Sequence, residues 1–154
     1  AVKTDGTLWM WGRNHKGQVG DGTITDRSSP VQIGALTDWS KVRCVYSHTL
    51  AIKTDGTLWA WGYNAQGQVG DSSTTTRSSP VQVGALTNWL QLSGGVYSSG
   101  ACTTDGKIFA WGWNSKGQIG VGDTTDRSSP TQVGALTTWE LIMVSNYQAG
   151  GIKS

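Results

Sequence analysis

The sequence repeats itself with a period of 50 residues, and this periodicity constrains the fold more than any other feature. Four landmarks return in all three copies with no insertion or deletion between them. With their equivalents 50 and 100 residues later, they are Trp11-Gly12, Gly17-Gln18, Arg27-Ser28-Ser29-Pro30 and Trp39. Periods of about 20–50 residues are typical of solenoids and propellers, in which each copy is one small unit packed against its neighbours. We therefore expect a row of similar units.

Each copy is predicted to consist of β-strands. In residues 57–61 large side chains recur at every second position, so that Trp59 and Trp61 share one face of a strand. This strand is preceded by Asp55-Gly56, a pair that signals a tight turn between two strands. A partner strand is expected on the other side of the turn, at residues 49–53.

Two further strands complete the repeat. Pro30 is predicted to open a short strand at residues 31–33, where its missing N–H group is tolerated. Trp39 introduces another strand, which is expected to reach Tyr46. No segment shows the 3.6-residue apolar period of an amphipathic helix. The predicted fold class is therefore all-β, with β-propeller blades of four antiparallel strands.

One copy carries a long string that is similar to a known repeat. It reads His48-Thr49-Leu50-Ala51-Ile52-Lys53-Thr54-Asp55-Gly56-Thr57-Leu58-Trp59-Ala60-Trp61-Gly62 and continues with Asn64 and Gly67-Gln68-Val69-Gly70. This string resembles the repeat of the regulator of chromosome condensation family, and the resemblance covers essentially the whole chain. It implies a β-propeller, usually with seven blades in that family. The family's His is kept only as His48, and the Gly three residues before it only as Gly95.

The two ends of the chain fall in the same strand of the repeat, because residues 1–4 and 151–154 both align with residues 51–54. This alignment predicts about three blades' worth of strands. The expected units are an outer half-blade (about 1–36), two whole blades (37–86 and 87–136) and an inner half-blade (137–154). Propellers have about four to eight blades, and an isolated array would expose strand edges. The remaining blades are expected from a longer repeat protein, which the mid-strand ends favour, or from further copies of this chain.

Charge and composition argue against several classes of function. The net charge is +2, only 14% of residues are charged, and no Lys/Arg run stands out, so we expect neither nucleic-acid binding nor membrane insertion. The 22 Gly and nine Trp indicate turns between packed strands. Some relatives in the family sense ultraviolet-B light with a Trp cluster beside the His motif. Because the matching place here holds Tyr46, Tyr97 and Tyr147, we expect the Trp residues to fill the core.

No constellation of residues predicts catalysis or a cofactor. Asp5, Asp55 and Asp105 are interpreted as turn formers, with metal ligation as the alternative. The loop at residues 21–26 lacks the alternating carboxylates of a calcium site. Neither His15 nor His48 accompanies a recognisable nucleophile, and His48 matches a structural position of the repeat. We expect no enzyme activity, no metal and no cofactor. Cys44 and Cys102 do not recur, and both are expected to be small buried hydrophobes.

The candidate binding residues are those that differ where everything around them repeats. They follow the Trp-Gly landmark, in loops that lie off the packed blades if the propeller interpretation holds. Arg, Tyr and Trp are the side chains that most often anchor protein interfaces. The predicted partner-binding residues are Arg13, His15, Lys16, Tyr63, Trp113 and Lys116. Neutral drift of a solvated loop is the alternative explanation.

These observations predict a non-enzymatic protein-interaction or structural scaffold that binds a macromolecule through its rim loops, and the expected partner is a protein. The resemblance implies two further classes. One is guanine-nucleotide exchange on a small GTPase, and the other is a bacterial, phage or secreted surface protein, for which an extracellular or virion location is favoured. A third class is a carbohydrate-binding module that stacks sugars on Tyr63 and Trp113.

Overall fold

A computed structural model of the chain describes residues 1–153. Twelve β-strands and no helix occur among these residues, which confirms the all-β prediction. The strands are β1 (Trp9–Gly12), β2 (Arg27–Gln32), β3 (Trp39–Cys44), β4 (His48–Lys53), β5 (Leu58–Gly62), β6 (Arg77–Gln82), β7 (Trp89–Gly94), β8 (Ser98–Thr103), β9 (Ile108–Gly112), β10 (Arg127–Gln132), β11 (Trp139–Val144) and β12 (Ala149–Lys153). Within the described part of the chain, nothing resembles a membrane-spanning helix.

Neighbouring strands pair antiparallel into four sheets, which we call blades 1 to 4 in chain order. Blade 1 holds β1 and β2, blade 2 holds β3 to β6, blade 3 holds β7 to β10, and blade 4 holds β11 and β12. Inside each four-stranded blade the order in space is the order in sequence. The first strand of blade 3 contacts the first strands of blades 2 and 4, while β2, β6 and β10 form the opposite edges. The predicted four-stranded blades are therefore present.

Two strand boundaries differ from the sequence-based expectation. The outer strand β2 begins at Arg27, three residues before Pro30, because the ladder with β1 contains a bulge between Met10 and Gly12. Pro30 lies within that bulge on an edge strand, where its missing N–H group breaks no ladder bond. The predicted strand through Tyr46 ends at Cys44 instead, because the next N–H group closes a turn by donating to the carbonyl of His48 at 3.0 Å.

The Asp-Gly pairs form the hairpin turns, as the turn-former interpretation predicts. Oδ1 of Asp55 accepts hydrogen bonds from the N–H group and the hydroxyl of Thr57, at 3.0 and 2.7 Å. Gly56 follows with a φ of 77°, and a Cβ atom at this position would lie 2.0 Å from the carbonyl oxygen of Thr87. The carboxylate therefore stabilises the turn, and the glycine lets the following turn approach the hairpin.

The hydrophobic core lies between adjacent blades. Leu50, Leu58 and Val69 of blade 2 pack with Trp89 and Trp111 of blade 3, and equivalent clusters join the other pairs of blades. Burial of this apolar surface, which each blade lacks alone, is what holds a repeat array together.

The expectation of two buried cysteines is half right. Cys102 is buried between blades, but Cys44 is exposed. The equivalent of Cys44 in blade 4, Val144, packs on Gly100 of the blade before it. Gly100 lies on β8, the second strand of blade 3. The described part of blade 1 has no equivalent of this strand, so the side chain of Cys44 is exposed to solvent.

Ser72 is the one non-glycine residue with a positive φ in the described chain, at 64°. Its equivalents are Gly22 and Gly122, whose φ values are 83° and 90°. A residue with a Cβ atom is sterically strained at positive φ, and glycine is not. Ser72→Gly is therefore expected to raise the free energy of unfolding by about 1 kcal/mol. Urea unfolding measures the change, and Gly122→Ser should lower stability by a similar amount. Equal stability of all three proteins would contradict this assignment of strain.

Candidate functional site

A hydrogen-bonded joint connects blade 1 to blade 2, and another connects blade 2 to blade 3. The indole Nε1 of Trp61 donates to the carbonyl oxygen of Gln18 at 3.0 Å, and the hydroxyl of Thr49 donates to the same oxygen at 2.8 Å. The next joint repeats this geometry with Trp111 and Ser99 donating to Gln68. Trp61 and Trp111 are fully buried. These joints fix the loops of one blade against the strands of the next.

Not every Trp fills the core. Trp11 is the equivalent of Trp61 and Trp111, yet 52% of it is exposed. The described residues include no blade before blade 1, so the indole of Trp11 meets no preceding loop. The core-filling expectation therefore holds for the joint Trp residues of blades 2 and 3 and fails for this one.

The loop that follows each Trp-Gly landmark is ordered by a buried Asn. Oδ1 of Asn64 accepts from the N–H group of Val69 at 2.8 Å, and its Nδ2 donates to the carbonyl of Thr75 at 3.0 Å. The fully buried Asn14 and Asn114 make equivalent bonds. A rigid loop of this kind can present side chains in a fixed arrangement at the rim.

Acidic side chains of these loops form hydrogen bonds and ion pairs with residues of the same loop. Burial raises the pKa of Asp21, but hydrogen bonds from Thr23 and the ion pair with Arg27 outweigh it and hold the pKa below its usual value. Asp71 and Asp123 pair in the same way with Arg77 and Arg127. Nowhere in residues 1–153 do three metal-ligating side chains come together.

Four aromatic side chains form a continuous row along the rim, in which each ring contacts the next. We call this row the aromatic ladder: Tyr63, Tyr97, Trp113 and Tyr147. Successive ring centroids lie 6.2, 6.2 and 6.0 Å apart, with interplanar angles of 60°, 87° and 67°. Nζ of Lys16 lies 5.4 Å from the ring centroid of Tyr63 and extends the ladder at that end. Together these residues come from all four blades.

Backbone hydrogen bonds place the ladder. The N–H group of Tyr63 donates to the carbonyl of Ser47, and that of Trp113 donates to the carbonyl of Tyr97, each at 2.8 Å. These bonds tie the end of the third strand of a blade to the turn between its first two strands. The preceding Gly62 permits the approach, because a Cβ atom there would lie 2.5 Å from the oxygen of Ser47. The loops after β5 and β9 therefore supply Tyr63 and Trp113 to the ladder, and the turns after β7 and β11 supply Tyr97 and Tyr147.

The structure brings three of the six predicted binding residues into one surface: Lys16, Tyr63 and Trp113. His15 lines a shallow depression of about 220 Å³ beside the ladder, together with Tyr46. Arg13 and Lys116 are exposed on the same loops. Within residues 1–153 the side chains of Arg13, His15 and Lys116 have no hydrogen bond or ion pair.

Sequence reasoning did not include Tyr97 and Tyr147 among the candidate binding residues, although both lie in the ladder. It also grouped Tyr46 with them, and the structure corrects this, because the carbonyl that bonds to the third strand belongs to Ser47 in blade 2 and to Tyr97 in blade 3. Tyr46 therefore lies one position earlier in its turn. The signal that could have found the pair is their spacing of 50 residues, directly before the position of the family's His.

His48 is part of the interblade packing and is fully buried. Its Nε2 lies 2.8 Å from Oγ of Ser99, and that hydroxyl donates its proton to the carbonyl of Gln68 at 2.7 Å. The hydrogen-bond network therefore assigns the imidazole proton to Nε2. Burial lowers the pKa of His48 to about 3, so the ring is neutral at physiological pH. This geometry is that of a scaffold residue.

Comparison with protein families identifies the repeat. A family model described as "Regulator of chromosome condensation (RCC1) repeat" matches residues 5–52, 55–102 and 105–146. A second model with the same description matches residues 39–68 and 90–118. Together the matches cover most of the chain.

Two curated proteins are similar over about one repeat. The Ultraviolet-B receptor UVR8 of Arabidopsis thaliana is 44% identical over 54 residues, which are 34% of this chain and 12% of that protein. Protein RCC2 of Mus musculus is 43% identical over 53 residues, which are 33% of this chain and 10% of that protein. The chain therefore matches only about a tenth of the length of these relatives.

Solved structures share the fold over the whole chain. Prp20p from Saccharomyces cerevisiae, described with its binding properties to Gsp1p and histones, has a TM-score of 0.84 at 20% identity, over 100% of this chain and 41% of that one. Human WBSCR16 has a TM-score of 0.84 at 20% identity, over 99% of this chain and 41% of that one. At this identity the likeness shows the fold alone, and the chain spans about two fifths of each structure.

Proposed function

The chain belongs to the regulator of chromosome condensation (RCC1) repeat family, and from this premise we propose that it is a non-enzymatic scaffold that binds a partner protein through the aromatic ladder. RCC1-repeat propellers present loops on a rigid array of blades, and binding residues of proteins concentrate on such loops. The three predicted residues that join the ladder, Lys16, Tyr63 and Trp113, are the proposed anchors, with Tyr97 and Tyr147 added from the structure.

The observation that carries this proposal is the exposure of large aromatic side chains that the fold does not need. Tyr147 is 69% exposed and Tyr97 is 39% exposed, although both belong to a stack of rings in contact. The equivalents of Trp113 in the other copies are Tyr63 and Arg13, so the scaffold does not dictate an aromatic residue there. Tyr and Trp are enriched at protein interfaces because they bury a large area with few rotatable bonds.

The geometry favours a protein over the other expected partners. Sugar rings and nucleobases stack on the flat face of an aromatic ring, whereas adjacent ladder rings stand at 60–87° to one another and share no common flat face. Guanine-nucleotide exchange is the second function implied by resemblance, and no insertion interrupts the three copies to supply a specialised loop. Neither alternative has a supporting observation of its own.

Site-specific photocrosslinking in cells of the natural source tests the proposal. A photoreactive phenylalanine analogue placed at Tyr147 is expected to give a discrete protein adduct, which mass spectrometry identifies. Adding Trp113→Ala should reduce the adduct yield about tenfold, since loss of an interface anchor costs about 1.4 kcal/mol or more.

The matched control places the same analogue at Leu86, which is 44% exposed on the opposite rim. No adduct of the same mass is expected from this position. Equal adducts from both positions, or an adduct yield that Trp113→Ala leaves unchanged, would rule out the ladder as the binding surface.

A further inference from the structure

The polar tips of the ladder are free. The hydroxyls of Tyr63, Tyr97 and Tyr147 and the indole Nε1 of Trp113 have no hydrogen-bond partner within residues 1–153, and none of them is a buried unsatisfied atom. The joint Trp residues contrast with this, because their Nε1 atoms all bond to a backbone carbonyl. The ladder therefore presents a row of groups that can donate hydrogen bonds to solvent or to a partner.

The rings of the ladder form one continuous aromatic surface. Adjacent rings are in edge-to-face or tilted contact, with centroids 6.0–6.2 Å apart and planes inclined by 60–87°. A polyproline II helix rises about 3.1 Å per residue, so two residues span one step from ring to ring. Aromatic-lined grooves are the surfaces that dock proline-rich segments in this conformation.

We propose that the aromatic ladder binds a proline-rich segment of the partner protein, held in the polyproline II conformation and flanked by acidic residues. The inference rests on the proposed function, since it names the chemistry of the protein that the ladder would bind. Proline has no N–H group, so a proline-rich segment carries an excess of unpaired carbonyl acceptors. The free donors of the ladder complement this excess.

The charges beside the ladder favour acidic residues in the segment. Lys16 lies at the Tyr63 end, and Arg13 and Lys116 are exposed on the adjoining loops. The carboxylates of these loops are engaged, either in ion pairs with Arg27, Arg77 and Arg127 or, for Asp26 and Asp126, as acceptors from backbone N–H groups. Among the described residues, Asp26 and Asp126 have no ion pair, so the three cations outnumber them by one and the unpaired charge of these loops is weakly positive.

Fluorescence anisotropy with a defined peptide tests this inference on the 154-residue chain. The probe is a fluorescein-labelled peptide of six prolines with two glutamates at each end. Saturable binding is expected. Trp113→Ala should weaken it about tenfold or more, and Tyr147→Ala, whose side chain is too exposed to be needed for folding, should weaken it several-fold. Trp11→Ala is the matched control, because this exposed Trp lies outside the ladder, and it should leave the affinity unchanged.

Two control peptides separate the parts of the proposal. A peptide with glycine and serine in place of the prolines should bind at least about tenfold more weakly, because it is not preorganised. A peptide with lysines in place of the glutamates should also bind more weakly, with the difference shrinking as salt is added.

Several results would overturn the inference. They are equal binding of the glycine–serine peptide, no effect of either ladder variant, saturable binding of a cello-oligosaccharide at the ladder, and self-association of the chain that Trp113→Ala abolishes. If the proline peptide does not bind while the photoreactive group at Tyr147 still captures a protein, the inference fails and the proposed function stands. If both fail, the ladder is not a protein-binding surface.

Discussion

Replacing Gly70 by alanine is expected to lower the free energy of unfolding by about 3 kcal/mol or more. Gly70 has a φ of 85°, where an alanine costs about 1 kcal/mol in backbone strain. A Cβ atom would also lie 2.6 Å from Nε1 of Trp111, which is fully buried and bonded to Gln68. Moving that indole breaks the joint between blades 2 and 3 and overpacks the core, which costs about 1–3 kcal/mol more.

The chain supplies its own control for this substitution. Gly120 is the equivalent glycine of the third copy, with a φ of 71°, and a Cβ atom there would meet only Val133 at 3.4 Å. Gly120→Ala therefore carries the backbone strain without the clash, and it should cost about 1 kcal/mol. Urea unfolding followed by Trp fluorescence measures both variants. Equal losses would mean that the joint contributes nothing to stability.

Acid is expected to destabilise the protein through His48. Burial lowers the pKa of this His from 6.5 to about 3, so the unfolded chain binds a proton below pH 6.5 that the folded chain does not bind until about pH 3. The protonation of His48 therefore does not reduce the free energy of unfolding above pH 6.5. As the pH falls from 6.5 towards 3, the free energy of unfolding decreases by about 1.4 kcal/mol per pH unit. Between pH 6.5 and 4.5 the free energy of unfolding should fall by about 2–3 kcal/mol.

This pH window separates His48 from the aspartates. Hydrogen bonds and ion pairs lower the pKa of Asp5, Asp21, Asp55, Asp71, Asp105 and Asp123 below 3.8, so their stabilisation is lost only at lower pH. His48→Gln is the matched variant, because Gln148 occupies this position in the third copy. Its stability should be nearly flat from pH 6.5 to 4.5. If denaturant unfolding shows the same slope for both proteins, His48 is not the group that titrates.

The repeat explains why the sequence predicts the blades so well. Residues such as Leu58, Trp61 and Gly56 recur because each blade must pair its strands, close its hairpin and cover its neighbour in the same way. What the sequence did not predict depends on context outside one copy. Cys44 and Trp11 are exposed because the described residues include no strand that covers either side chain from the preceding side. Their equivalents Val144 and Trp61 have such a neighbour and are buried.

The candidate site was predicted in part for a related reason. Comparison of the copies singled out Tyr63 and Trp113 because they vary on a constant background. It did not show that Tyr97 lies between them, since this contact joins a turn of one blade to the loops of two blades. Contacts between blades depend on how the blades are inclined to one another, and no local pattern in the sequence encodes that angle.

The joint between blades has a consequence for how the gene can change. Each 50-residue copy carries both halves of the contact, a glycine–glutamine loop such as Gly67-Gln68 that receives the following blade and an indole such as Trp111 that enters the preceding one. An in-frame duplication or deletion of 150 base pairs therefore adds or removes a complete pair of halves. Recombination between the copies can alter the number of blades while every remaining joint forms the same hydrogen bonds.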